Sequence, residues 1–233
     1  MNSRIQIAML RRVAEALGAE LRNQMTFVGG CTTSLLVTDE FTQENIRHTD
    51  DVDLIVHVMG YADYSVLQQK LQEHGFNIDI PDDDEPICAM KLGDLRVDFM
   101  PDDELVLGFT NRWYRRAVET SVRVNLTPEL MINLISPVYF VATKLEAYNG
   151  RGNDDPLESR DIEDILNLVD GRTEFISEFD VAEDDVKKYI SHQLELLLGV
   201  NDFDYAIQSH ANMNQAREEE LYERLEKIVE LGK

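Results

Sequence analysis

Cysteine, histidine and basic side chains are scarce in this 233-residue chain, and it has no long apolar run. Two cysteines, Cys31 and Cys88, are too few for a disulfide framework, and nothing in the sequence pairs them. Both are read as reduced, buried thiols. No apolar stretch reaches the length of a signal-peptide core or a membrane span, so no membrane partner is expected and a cytoplasmic location is the default. Lys and Arg number 22 against 45 Asp and Glu, a formal net charge of −23. That shortage of positive charge argues against a non-specific nucleic-acid coat and against polybasic attachment to an anionic membrane. Phosphate chemistry on such a chain needs metal ions or a local basic patch. The five histidines (His48, His57, His74, His192, His210) show no metal-ligand spacing.

What is present is an ordinary globular composition, 43% hydrophobic and 29% charged, long enough for one large domain or two smaller ones. Ile5, Met9, Val13, Leu17 and Leu21 recur at a spacing of four and predict an amphipathic first helix. A short apolar run, Met25-Thr26-Phe27-Val28, leads into Gly29-Gly30, and residues 31–37 suit a short helix. Residues 38–49 are polar and read as a loop. Residues 51–58 alternate with period two through Val52, Leu54, Val56 and Val58, a strand signature. A helix over 64–74, a strand over 76–80 and a hairpin turning at Gly93-Asp94 follow. The segment 81–86 is a brief acidic loop. Residues 118–125 alternate again, and Thr127-Pro128 marks a turn before a strand over 130–135.

The pattern changes at Ser136-Pro137, a serine N-cap with proline at the first helical position. Helices are expected over 138–148, 159–169, 181–198 and 216–231. The expected organisation is therefore a mixed α/β domain over 1–135 and a helical domain over 136–233.

Three features of the first domain carry chemistry. Gly29-Gly30 follows a strand and precedes a helix, where bare backbone N–H groups can approach phosphate. Asp51 and Asp53 are two apart on a strand, so their carboxylates share a face. Asp98 stands on a third strand in Arg96-Val97-Asp98-Phe99-Met100. Carboxylates on rigid strands are what two-metal phosphoryl or nucleotidyl transfer needs. Taken singly, each has a plain structural explanation: a turn, a solvated strand end, a surface residue. Their ordered combination is the signal.

Phe27-Val28-Gly29-Gly30 followed by Arg47-His48-Thr49-Asp50-Asp51-Val52-Asp53-Leu54 resembles the polymerase-β-like nucleotidyltransferases. It resembles in particular their AbiEii/AbiGii toxin-type branch, with the pattern G-G, then R-x-T-x-D-[IV]-D-L. Lys144-Leu145-Glu146-Ala147, then Arg151, then Arg160-Asp161-Ile162-Glu163-Asp164-Ile165 resembles that branch's K-x-x-A…R…[KR]-D-x-x-D-[IL] segment. The likeness spans roughly residues 25–170. It implies a nucleotidyltransferase-fold mixed β-sheet with flanking helices, and a C-terminal helical domain completing the nucleotide cleft.

By that resemblance Gly29, Gly30 and Ser34 would cradle nucleotide phosphates. Asp51, Asp53 and Asp98 would ligate Mg²⁺, as two ions, or Mn²⁺ in their place, with Asp98 as base toward the acceptor hydroxyl. Arg47 and Thr49 would brace the loop or touch phosphate. Lys144 would reach the β/γ-phosphates, with Asp161 or Asp164 orienting it or Arg151. The implied activity is transfer of a nucleoside monophosphate from an NTP to a hydroxyl. The implied partners are an RNA acceptor such as a tRNA 3′ end, and an antitoxin protein. Transfer to a small molecule or protein hydroxyl, and a non-catalytic nucleotide-binding or interaction module, are the alternatives.

The chain departs from the pattern in two ways. Twenty residues separate Gly30 from Asp51, which calls for an extra loop, and Cys31-Thr32-Thr33 stands where small apolar residues are commoner. Outside the motif, Arg112, Trp113, Arg115, Arg116 and Arg123 form the one basic, aromatic stretch. They suit either an RNA end or a packed tryptophan with arginines paired to the abundant acids. Residues 154–185, with thirteen acids and two bases, read as a solvated helical surface. His57, in phase with Asp51 and Asp53, reads as a packed histidine. Contact with an RNA acceptor is expected to be weak, salt-sensitive and confined to one face.

Overall fold

The computed structural model describes residues 2–78, 87–151 and 155–233. Its strands are β1 (Met25–Val28), β2 (Asp51–Val56), β3 (Phe76–Asn77), β4 (Ala89–Leu92), β5 (Leu95–Pro101), β6 (Val122–Thr127) and β7 (Leu130–Leu134). Helices α1 (Asn2–Arg22), α2 (Thr33–Leu36), α3 (Glu40–Asn45), α4 (Tyr61–Glu73), α5 (Glu104–Leu107) and α6 (Tyr114–Glu119) precede β6. Helices α7 (Pro137–Arg151), α8 (Arg160–Gly171), α9 (Phe175–Asp180), α10 (Asp184–Leu197), α11 (Asn201–His210) and α12 (Gln215–Leu231) follow β7. The chain forms two compact units, Met1–Ser34 with Arg47–Ser136, and Leu35–Ile46 with Pro137–Lys233. The acidic segment 81–86, the end of the strand expected over 76–80, and Asp154 lie outside the described residues.

In the first unit all seven strands join one mixed sheet in the order β3-β4-β5-β2-β1-β7-β6. The pairs β2–β5 and β1–β7 are parallel, and the other four are antiparallel. The chain is thus α/β, with a mixed sheet, flanking helices and a C-terminal helical part. Strand β1 lies centrally and is buried at all four positions. Phe76 and Phe99 meet edge to face at 5.4 Å, and the Tyr64 hydroxyl donates to the Phe99 carbonyl. Helix α1 packs on β1, β2 and β7. Its buried face runs Gln6, Leu10, Val13, Ala14, Leu17 and Leu21, while Ile5 is exposed. A strict spacing of four advances 40° per step too far, so the stripe read from the sequence slides off the face the helix buries.

Two other expectations change. The alternation over 118–125 is split: Val118 and Glu119 close α6, whose last turn is held by Thr120 and Ser121 hydroxyls donating to the Arg116 and Val118 carbonyls at 2.7 and 2.9 Å. The strand begins only at Val122. Residues 38–49 are not all loop, because Asp39 caps α3 by accepting the Thr42 N–H at 2.8 Å.

The second unit is helical. The hydrophobic helix α7, buried from Pro137 through Leu145, packs on α8, α9 and α10, and α12 packs on α8 through α11. Residues 35–46 belong here because the Gly171 carbonyl accepts the Thr38 and Asp39 N–H groups, both at 2.9 Å. A Cβ at Gly171 would fall 2.6 Å from Val37 and 2.7 Å from Thr42, so only glycine permits that approach. The helix expected over 181–198 is α10 alone, set off from α9 by an exposed Val181, and α11 was not anticipated. Among the described residues no helix is long and apolar enough to cross a membrane.

Candidate functional site

Strand β2 explains the placement of the first two carboxylates. Val52 and Leu54 are fully buried on one side, which turns Asp51 and Asp53 to the partly open side. Parallel pairing sets Asp53 opposite Asp98 and Asp51 opposite Arg96, so these four side chains occupy one face of β2 and β5. Val28, the last residue of β1, pairs with Asp53, and the chain turns at Gly29 immediately afterwards.

Gly29 has φ +73° and ψ −177°, backbone essentially confined to glycine. A Cβ there would sit 1.7 Å from Oδ2 of Asp53. The bare glycine therefore lets the Asp53 carboxylate lie directly over the turn. Gly30 opens the 3₁₀ turn Gly30–Thr32, and the Thr32 hydroxyl donates to the Gly29 carbonyl at 2.7 Å. Ser34 is buried and turns its hydroxyl to the Cys31 carbonyl.

The Thr49 hydroxyl donates to Oδ1 of Asp51, and the Gln6 amide donates 3.1 Å to the Arg47 carbonyl, tying the 47–49 segment to α1. Asp98 is held by a two-pronged bond from Arg96, Nε to Oδ1 and Nη2 to Oδ2, each 2.9 Å. Arg96 stands two residues before Asp98 on the same face of β5, and that spacing is the sequence signal for the pair.

Two buried thiols register the local charge. Burial, then Asp53 and Asp51, push the Cys31 thiol well above its ordinary value, with Arg47 opposing. Burial and Asp98 push Cys88 up to about 12. Both cysteines are free and buried.

Carboxylate oxygens are the right donors for Mg²⁺. Asp51 and Asp53 fit such an ion, being on one face and partly open. Asp98 fits only if it exchanges Arg96 for the metal. Among the described residues no three His, Cys, Asp or Glu side chains converge on a cage.

The second motif segment gathers within the helical unit. Lys144 on α7 is buried, with Nζ 3.0 Å from Asp161 and 2.7 Å from Asp164 on α8. Arg151 also reaches Asp161, at 3.3 Å. Burial would raise the Asp161 carboxyl, but the charges of Lys144 and Arg151 outweigh it and hold the group below its ordinary value. Asp161, Asp164 and Asp170 are all buried, so the acidic stretch 154–185 is not simply a solvated surface. The i, i+3 spacing of Asp161 and Asp164 on one helix stripe is what brings both to one ammonium.

His57 is not packed. It lies just past β2, half exposed, with Nδ1 2.7 Å from the buried Asp102. Trp113 is buried, which removes it as a platform for a base. Arg112 lies 5.0 Å over its ring, Arg116 pairs with Glu119 and Arg123 donates to Asn23.

The chain matches no protein-family model, and no curated protein is significantly similar to it.

Proposed function

We propose that this chain is a metal-dependent nucleotidyltransferase, moving a nucleoside monophosphate from an NTP to an acceptor hydroxyl with release of pyrophosphate. The observation that carries the reading is the register of β2 and β5, which sets Asp51, Asp53 and Asp98 on one face, with Gly29 folded beneath Asp53. Asp51 and Asp53 would hold Mg²⁺, or Mn²⁺, with Asp98 joining on release from Arg96. Bound there, the metal supplies neutralisation of phosphate charge and acidifies a coordinated hydroxyl.

The chain's own groups do the rest. The turn at Gly29 would present backbone N–H groups to the phosphates beside the Asp53 carboxylate that lies over it. Thr49 fixes the Asp51 carboxylate through its hydroxyl, and the 47–49 segment is anchored by Gln6. Asp98 takes the proton of the acceptor hydroxyl. The hydroxyl oxygen bonds to the α-phosphorus as the bond to the pyrophosphate oxygen breaks. On the resemblance, the acceptor is an RNA 3′ end.

The test supplies each NTP labelled at the α or at the γ position, with Mg²⁺ and either RNA or small hydroxylic acceptors. Nucleotidyl transfer leaves the α label on the acceptor and the γ label in pyrophosphate. A γ label on the acceptor means phosphoryl transfer and refutes the proposal. Label on RNA alone supports the toxin-type acceptor, and growth arrest on expression that disappears in Asp51→Ala supports it further.

A further inference from the structure

At the β6–β7 end of the sheet one face is closed and the other open. Leu130, Ile132 and Leu134 of β7 are buried on one side, and Met131 and Asn133 alternate to the other. Antiparallel pairing sets Asn125 and Arg123 of β6 beside them. Arg123, Asn125 and Met131 are exposed, and Asn133 is half-buried. This open side is the carboxylate side. Register carries it across the sheet: Arg123 pairs with Asn133, Asn133 with Thr26, and Thr26 with Ile55, two residues from Asp53 on the same face of β2. Three strand spacings and two residues put the Arg123 Cα about 16 Å from that of Asp53.

The charge here runs against that of the chain. Arg123 donates from Nη2 to Oδ1 of Asn23 at 3.2 Å. Arg22 donates from Nε to the Met131 carbonyl at 2.9 Å and from Nη1 to the Ala14 carbonyl at 2.8 Å. All three acceptors are neutral, so both guanidiniums are held in place with their charge intact. Helix α6 stands on the same side, where the Tyr114 hydroxyl meets Sδ of Met100 at 3.0 Å, and Met100 pairs with Ile55. At 100° per residue its exposed Arg115 points away from the buried Trp113 and Ala117. The acid one turn on, Glu119, is held by Arg116 at 2.7 Å. Glu129 stands at the hairpin turn, the end farther from Asp53.

We propose that this open face, with Arg22, Arg115 and Arg123, carries the phosphodiester backbone of a single-stranded nucleic acid whose terminal hydroxyl lies at the carboxylates. The placement of that hydroxyl rests on the transfer reading above; the binding face rests on the arginines. Guanidinium forks match phosphate oxygens. The span corresponds to about five stacked nucleotides at about 3.4 Å each. Strands β6 and β7 carry no aromatic residue, so the contact is to backbone and not to stacked bases. Acids beyond a Debye length, about 10 Å at 0.1 M salt, are largely screened from it. A chain of net charge −23 can therefore keep one phosphate-binding face.

The test follows the fluorescence anisotropy of 5′-labelled single-stranded RNA and DNA of about twelve nucleotides, longer than the span. The intact protein is titrated without NTP or metal, over roughly 50 to 200 mM salt. At least one of the two should bind saturably, with log K falling against log salt at a slope near −2, about −0.7 for each of three phosphates. Arg22→Gln combined with Arg123→Gln should weaken binding by about tenfold and flatten the slope by about 1.4. Lys70→Gln, a loss of charge at an exposed position of α4, should leave affinity within about twofold, well under the tenfold step. Should the double variant fail to fold, Arg123→Gln, at an exposed position of an edge strand, decides alone. No saturable binding, wild-type binding by the folded arginine variants, or equal binding of a poly-glutamate peptide of the same length overturns the proposal. Binding that follows the arginines while no protein transfers label supports this face and refutes the transfer reading. Label transfer by the wild type with binding indifferent to the arginines does the reverse.

Discussion

Replacing Gly29 by alanine should damage both stability and the carboxylate face, and the two contributions can be measured apart. The backbone conformation at φ +73°, ψ −177° costs a non-glycine residue about 1–3 kcal/mol. The added methyl would also sit 1.7 Å from Oδ2 and 2.6 Å from Cγ of Asp53, so the carboxylate or the strand must move. Forced overpacking of this kind costs about 1–3 kcal/mol more. The sum, about 2–6 kcal/mol, is a large part of the 5–15 kcal/mol that stabilises an ordinary domain. Urea unfolding of wild type, Gly29→Ala, Asp53→Ala and the double variant closes a thermodynamic cycle. Asp53→Ala removes the two closest atoms and leaves Cβ at 2.8 Å. The double variant should therefore be more stable than the summed single effects by part of the overpacking share, about 1 kcal/mol or more. Additivity within about 0.5 kcal/mol would show that Gly29 and Asp53 do not compete for space, and the account of the turn would be wrong.

Other consequences follow from the buried charges and thiols. Lys144→Met leaves Asp161 and Asp164 without their shared ammonium and should destabilise the helical unit by about 3–5 kcal/mol; unfolding at matched denaturant steps would reveal an unchanged midpoint if the pairing is inconsequential. Asp161 and Asp170 are both held below their ordinary values against burial, Asp161 by Lys144 and Arg151, Asp170 by His210 and Arg217. The stability they contribute is present above the unfolded carboxyl value of about 3.9 and is lost as pH falls through the lower folded values. Asp161→Asn should flatten the acid limb of a stability-versus-pH curve, and an unaltered limb contradicts the assignment. Cys31 and Cys88, protonated and buried, should react slowly with a disulfide reagent at pH 8 and count as two thiols only after denaturation. Rapid native labelling of either one speaks against its placement.

The parts of this architecture legible in the sequence were those with a local cause. The alternation of Val52 and Leu54 against Asp51 and Asp53 fixes a strand and its faces, and Ser136-Pro137 marks the start of α7, whose first residue is Pro137. Elements held by distant groups were hidden. Helix α3 joins the helical unit through the carbonyl of Gly171, more than a hundred residues away, and α11 presents only Phe203, Ala206 and Ile207 to the core. At the candidate site, strand period assigns a face to each carboxylate but not its partner. Asp98 could be placed near Asp53, yet its clamp by Arg96 depends on which rotamers meet across that face. The same holds for Asp161 and Asp164, acidic and helical by pattern, whose burial beside Lys144 of another helix depends on a contact between helices.

The proposed activity stands or falls most directly on a comparison of wild type with Asp53→Ala. Each protein is incubated with α-labelled NTPs, Mg²⁺, total RNA and protein extract, and transferred label is counted. The wild type should transfer label only when divalent metal is present, and Asp53→Ala, folded by circular dichroism, should transfer none above background. Equal label from both proteins would contradict the assignment of Asp53 and, with it, the carboxylate face as the reacting centre.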